Sequence, residues 1–196
     1  MSLLNVPDAN TPLTPEELAD LIPNLATKED LNEWERENIL EARYWALSER
    51  NVKAHDPISD DYIRKLHNRM FDQTWKWAGT YRKTEKNIGV SVGQMREMLV
   101  ALLGDVRYWI ENNTHSPDEI AIRFHHRLVS IHLFPNGNGR HARLIADVLA
   151  VRLGRPTFTW GQKDLIKPGV AREEYLKALR TADEGDIKPL LDFARS

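Results

Sequence analysis

The segment His132-Leu133-Phe134-Pro135-Asn136-Gly137-Asn138-Gly139-Arg140-His141-Ala142-Arg143 constrains the fold more than any other part of the chain. Apolar residues at Leu144, Ile145, Val148, Leu149 and Val151, with no proline among them, predict a helix over 138–153 that begins inside the glycine turn. Upstream, Ser116-Pro117-Asp118-Glu119 is a helix-start signal, and a helix over 117–131 follows from it. Two helices must therefore meet at a short loop. Gly137 and Gly139 let backbone come close to a ligand and adopt positive φ, which a Cβ would prevent. The free N–H groups and dipole of a helix start favour an anion there. Arg140 and Arg143, three residues apart on nearly one side of that helix, add fork-shaped donors suited to phosphate. The turn lacks the Gly-Lys-Ser/Thr ending of a Walker loop.

The remainder reads as helix. Thr14-Pro15-Glu16-Glu17 is a capping box opening a short helix that Pro23 ends, a longer helix runs from Thr27 or Asp30 to about Asn51, and Ser59 opens another to about Phe71. Further helices are expected near 94–112, 171–183 and 187–194. The turn-prone Glu85-Lys86-Asn87 lies between Gly79–Thr84 and Ile88–Val92, which predicts a single hairpin. The expected class is all-α with a small β-hairpin. Charge is nearly balanced, with 27 Lys plus Arg against 29 Asp plus Glu, so no global basic field argues for nucleic-acid binding. There are no cysteines, no apolar run reaches the roughly 20 residues of a membrane span, and Met1–Asp8 carries no secretory pattern. A cytoplasmic location, with no membrane association, is the expectation.

The dodecapeptide resembles the signature of the Fic family, His-Pro-Phe-x-Asp/Glu-Gly-Asn-Gly-Arg-x-x-Arg, whose members mostly transfer AMP from ATP to a protein hydroxyl. The resemblance extends over roughly residues 58 to 195, with residues 1–57 as an N-terminal segment and 58–196 as the Fic domain. It implies a Fic-type helical bundle, ATP as substrate, and His132 as the general base. A histidine suits that role because its ordinary pKa of about 6.5 leaves a neutral nitrogen near pH 7. It assigns nucleotide binding to Gly137, Asn138, Gly139, Arg140 and Arg143, although a plain helix cap is an equal reading for Asn138 and an ion pair with Asp147 an alternative for Arg143. Leu133 replaces the family's proline, and Asn136 replaces the acidic residue expected to bind Mg2+. A neutral amide oxygen supplies no charge, so weakened magnesium binding is expected there.

Trp75-Lys76-Trp77-Ala78-Gly79-Thr80-Tyr81-Arg82 is similar to the family's approach to a target-binding flap, although core packing is the plainer reading of both tryptophans. Residues Lys83, Thr84, Glu85, Lys86, Asn87, Ile88 and Gly89 would form the docking edge for the target protein. Upstream, Glu37-Asn38 resembles the end of an inhibitory helix found in one Fic class, whose glutamate pairs with the second motif arginine, here Arg143. Glu33, Glu37 and Glu41 form one acidic stripe that needs facing cations or solvent. The variant Pro-Asn-Gly-Asn-Gly-Arg-His-Ala-Arg is most similar to the subgroup called mobile mystery protein B, usually encoded beside a helix-turn-helix partner.

Other histidines offer a metal site little support. His125 and His132 are seven residues apart, about 10 Å along a helix and too far for one ion. His67 and His115 read as surface or helix-end residues. The leading expectation is an autoinhibited protein adenylyltransferase. The alternatives are a Fic-fold transferase of UMP, phosphate or phosphocholine, and a nucleotide-binding module impaired in catalysis.

Overall fold

A computed structural model describes residues 12–162 and 169–196, so the first eleven residues of the N-terminal segment lie outside it. The elements in order are α1 (Pro15–Ala19), α2 (Lys28–Leu47), α3 (Glu49–Ala54), α4 (Asp60–Phe71), α5 (Met95–Glu111), α6 (Pro117–Ile131), α7 (Asn138–Arg152), α8 (Val170–Asp183) and α9 (Lys188–Arg195). The starts follow the cap chemistry. Thr14 and Thr27 both form reciprocal boxes with the residue three positions on, Glu17 and Asp30. Ser59 and Ser116 accept the N–H groups of Tyr62 and Glu119.

Two expectations change. The long helix expected to reach Asn51 breaks at Ser48, which takes an extended conformation at φ −62° and ψ 140°. Its hydroxyl donates to the Trp45 carbonyl and accepts from the Asn51 N–H, so one side chain ends α2 and starts α3. The hairpin is the second change. Among the described residues there is no strand, and residues 80–91 run as an irregular loop. The sole bridge noted among them joins Leu21 to Trp75.

One core serves the whole described chain. Ile63, Leu66 and Met70 of α4, Phe124 and Leu128 of α6, and Ile145 and Leu149 of α7 are buried together. Ala42 and Ala46 of α2 belong to the same cluster, so the N-terminal segment is built into this core. The small side chains let α2 lie close against α4. Trp75 and Trp77 are buried and stacked, with centroids 5.0 Å apart, which is the core-packing reading. No helix among the described residues is long and apolar enough to cross a membrane.

Candidate functional site

The loop between α6 and α7 is fixed from below by aromatic packing. Phe134 is fully buried and stacks on His67 with ring centroids 3.6 Å apart and an interplanar angle of 14°. The N–H of Gly79 donates to Nδ1 of His67 at 3.0 Å, so Nε2 carries the proton and donates to the Asn136 carbonyl at 3.1 Å. Burial, the largest cause, pushes the pKa of His67 well below its ordinary value and keeps it neutral. His67 therefore links the loop to the end of the tryptophan segment. It is not the surface or helix-end residue expected from sequence, because Phe134 and Gly79 reach it from distant parts of the chain.

Gly137 caps α7 at φ 78°, and a Cβ there would lie 2.5 Å from the Phe71 ring. Only glycine fits. Gly139 is different, since a Cβ would meet nothing closer than Nη1 of Arg143 at 3.8 Å. Its bare backbone faces the arginine, which is where an anion could approach.

His132 terminates α6 in the left-handed region, at φ 58° and ψ 64°, beside this turn. It is buried, and its pKa is pushed down to about 4, chiefly by desolvation and then by the charges of Arg82 and Lys86. The imidazole is neutral at physiological pH. Arg143 lies 5.4 Å over the face of Tyr175 and has no ion pair with Asp147, which is buried and bound to Arg43 at 2.7 Å. Asp147 also accepts from the Phe158 N–H and the Trp160 indole. The pairing that could have held Arg143 is thus already used. A neutral base, a bare helix start and two arginines on one helix face make an arrangement suited to phosphoryl chemistry.

Residues 57–150 match the Fic/DOC family. The chain belongs to the Fic/DOC family. It is 32% identical over 145 residues to the protein adenylyltransferase fic-1 of Caenorhabditis elegans, an alignment covering 72% of this chain and 27% of that protein. This chain therefore spans about a quarter of the length of the curated relatives it matches. Among solved structures it is similar to residues 134–508 of Fic-1 from C. elegans, with TM-score 0.62 and 27% identity, covering 91% of this chain and 51% of that one. It also shares its fold with the BepC protein of Bartonella tribocorum solved with bound AMPPNP, at TM-score 0.65 and 18% identity, covering 87% of each chain.

Within this Fic fold, three residues depart from the sequence expectation. The Asn138 side chain does not cap α7, whose N-cap is Gly137. It is buried, accepts the Phe134 N–H at 2.9 Å and donates to the Phe134 carbonyl at 2.8 Å, so its amide braces the loop.

Asn136 does not fit a magnesium ion. Its side-chain oxygen accepts the Gly137 N–H at 2.6 Å and lies 3.5 Å from the Arg140 guanidinium, a cation that opposes a second cation at the same oxygen. Among the described residues no group of three His, Asp or Glu side chains is placed to hold a metal.

Glu37 does not pair with Arg143. It lies on the exposed side of α2, as do Glu33 and Glu41, and the acidic stripe is a solvated face. The carboxylate that reaches the motif is Glu35, which is buried, accepts the Trp75 indole N–H at 2.8 Å and pairs with Arg140 at 2.5 Å. The buried side of α2 is Glu35, Asn38, Ala42 and Ala46. That stripe has helical spacing and was the available signal.

The expected docking edge is covered in part by the N-terminal helix. Glu17 of α1 accepts from the Thr84 hydroxyl at 3.1 Å and pairs with Lys86 at 2.5 Å, while Lys86 also donates to the Pro12 carbonyl. Lys83, Glu85, Asn87, Ile88 and Gly89 are exposed. Gly89, at φ 97°, packs directly on His132, where a Cβ would approach the imidazole's Cβ to 2.5 Å.

Proposed function

We propose that this chain is a protein adenylyltransferase that moves AMP from ATP to a Ser, Thr or Tyr hydroxyl of a target protein. The observation that carries the reading is His132 held neutral beside a helix start where the Gly139 backbone lies next to the Arg143 guanidinium. The target's hydroxyl oxygen forms a bond to the α-phosphorus while the bond from that phosphorus to the bridging oxygen breaks. Pyrophosphate leaves with the electron pair, and the hydroxyl proton passes to the imidazole of His132. The N–H groups of Asn138 and Gly139, with Arg140 and Arg143, stabilise phosphate charge, while the Gly137 N–H is held by the Asn136 side chain. The names of the curated relatives support the same assignment. The exposed loop 83–89 is the proposed docking edge for the target.

In this reading Glu35 restrains the enzyme. While it holds Arg140, that guanidinium is withheld from the phosphates, and nucleotide sits out of line for attack. A misplacement of about 1 Å can cost 10²-fold. A cytoplasmic setting, and a helix-turn-helix protein as partner by subgroup resemblance, belong to the same proposal.

Incubation with α-labelled ATP and a bacterial lysate, comparing wild type, Glu35→Gln and Glu35→Gln with His132→Ala, tests it. Labelled protein that rises in the first variant and vanishes in the second is expected. Labelling from UTP or CDP-choline, with none from ATP, would replace the AMP reading with transfer of another phosphate-containing group, which the neutral Asn136 also suits.

A further inference from the structure

Arginine is almost never fully buried unless its donors are satisfied. The side chain of Arg82 has no exposed surface, yet its nearest carboxylate, Glu85, is 3.6 Å away and largely solvent-facing. What the guanidinium binds instead is backbone. Nε donates to the carbonyl of His132 at 2.6 Å, Nη1 donates to the carbonyl of Thr84 at 2.9 Å, and Nη2 donates to the carbonyl of Val90. The main-chain N–H of Arg82 donates to the Leu133 carbonyl at 2.9 Å. Thr84 and Val90 are the two arms of the loop at residues 83–89, and His132 and Leu133 open the anion loop.

This pattern explains how an irregular loop can be built here without a strand ladder. Backbone carbonyls removed from water must find donors, and the five N–H groups of one guanidinium replace the missing ladder. It also bears on His132 itself. A non-glycine residue in the left-handed region costs about 1–3 kcal/mol and persists only where its surroundings hold it. Arg82 binds the two carbonyls that follow the strained residue, those of His132 and Leu133. A cation at the C-cap of α6 is also favoured by the helix dipole.

We propose that Arg82 is a positioning residue that sets His132 and the target-docking loop in a single register, so that a hydroxyl held on the loop arrives at the imidazole. The proposal deepens the adenylyltransferase reading and rests on it for the hydroxyl and the nucleotide. The clasp itself concerns only this chain's own groups. Gly89 completes it, because the loop must lie close enough on His132 that no Cβ fits between them. The specific chemistry is the fork, since lysine carries the charge but gathers its donors on one nitrogen and cannot spread them over three carbonyls as three guanidinium nitrogens do.

Arg82→Lys and Gly89→Ala separate the clasp from the charge and from general stability. Three measurements apply to each: backbone amide exchange, the titration of histidines by NMR, and transfer kinetics in the Glu35→Gln background with ATP. The charged groups facing His132 are Arg82 and Lys86, and both charges remain in each variant. For both variants, exchange over residues 83–91 should accelerate at least about tenfold while α6 and α7 stay protected. His132 should titrate closer to 6.5, with His141, which binds the Ile63 carbonyl elsewhere in the core, unmoved as the internal control. The maximal rate of transfer should fall by about 10²-fold, with KM for ATP within about twofold. Loop exchange and His132 titration like wild type in Arg82→Lys would overturn the proposal, and so would an equal loss of ATP affinity. If the parent transfers nothing from ATP, the adenylyltransferase reading fails separately, and exchange and titration still decide the clasp.

Discussion

Asp147 lies one helical turn beyond Arg143 yet binds Arg43, a residue of α2 104 positions earlier in the chain. The pair joins α2 to α7 and leaves Arg143 lying over Tyr175 with its charge available. Arg143→Ala removes a cation that lies over the buried Tyr175 ring and should lower the melting temperature by only about 2–4 °C, the effect of about 1 kcal/mol. ATP affinity in a calorimetric titration should fall about 10- to 100-fold, the loss of a charge-assisted phosphate contact. Arg43→Ala should do the reverse. It strands a buried carboxylate and should cost about 3 kcal/mol in a urea melt, with ATP binding retained by the folded fraction.

The second prediction concerns restraint. Glu35→Gln keeps an acceptor for the Trp75 indole while removing the charge that holds Arg140. Transfer should rise at least about tenfold, and Glu37→Gly should leave it unchanged because Glu37 faces solvent. Activation by Glu37→Gly alone, measured with labelled ATP, would return the restraint to the acidic stripe.

For His132 the expectation is a separation of chemistry from binding. His132→Ala in the Glu35→Gln background should lower the transfer rate by about 10²–10⁴, the usual contribution of a general base. ATP affinity should change by less than about threefold. A variant that still turns over at the parental rate would remove His132 from the chemistry.

Asn136→Asp addresses the metal. A carboxylate at this position offers the charge that the present amide lacks, and magnesium titration at fixed ATP should show binding tightened about tenfold. In wild type, the metal dependence should follow the formation of the magnesium–ATP complex in solution. An identical magnesium profile for the two proteins would show that position 136 does not face the metal.

Stability should depend on pH through the buried histidines. His125 is pushed down to about 3, His132 and His141 to about 4, and His67 well below its ordinary value, each first by burial. In the unfolded chain they titrate near 6.5. Below that pH the unfolded state binds protons that the fold refuses, so stability is fully present above about 6.5 and is lost as pH falls towards 4. Each histidine contributes a slope of up to about 1.4 kcal/mol per pH unit in that window. Urea midpoints between pH 4 and 8 check this, and His141→Gln should flatten the profile.

Local chemistry was readable from the chain. The caps at Thr14, Thr27, Ser59 and Ser116 and the start of α7 at Asn138 follow from side chains within a few residues of the helix they begin. Residue roles decided by distant partners were not readable in the same way. The inward role of Glu35 is hidden in the sequence because the inward side of α2 is set by Trp75 and Arg140, far along the chain. His67 looked ordinary until Phe134 stacked on it. The turn signal at Glu85-Lys86-Asn87 is real, but local preference could not reveal that a buried guanidinium would stand in for strand pairing.

The ties of α1 and α2 change what counts as a separable piece of this protein. The Ile22 N–H donates to Thr74, Lys76 donates to Asp20, the Trp77 indole donates to the Glu17 carbonyl, and Glu17 holds Thr84 and Lys86. Cutting the chain at residue 57, where the family match begins, would strip the partners from two buried indoles, one buried lysine and Arg140 in a single stroke. Such a fragment would expose unsatisfied donors beneath the docking loop and release Arg140 at once, mixing activation with unfolding. The minimal working unit is therefore larger than the span of the family match and reaches back at least to α1.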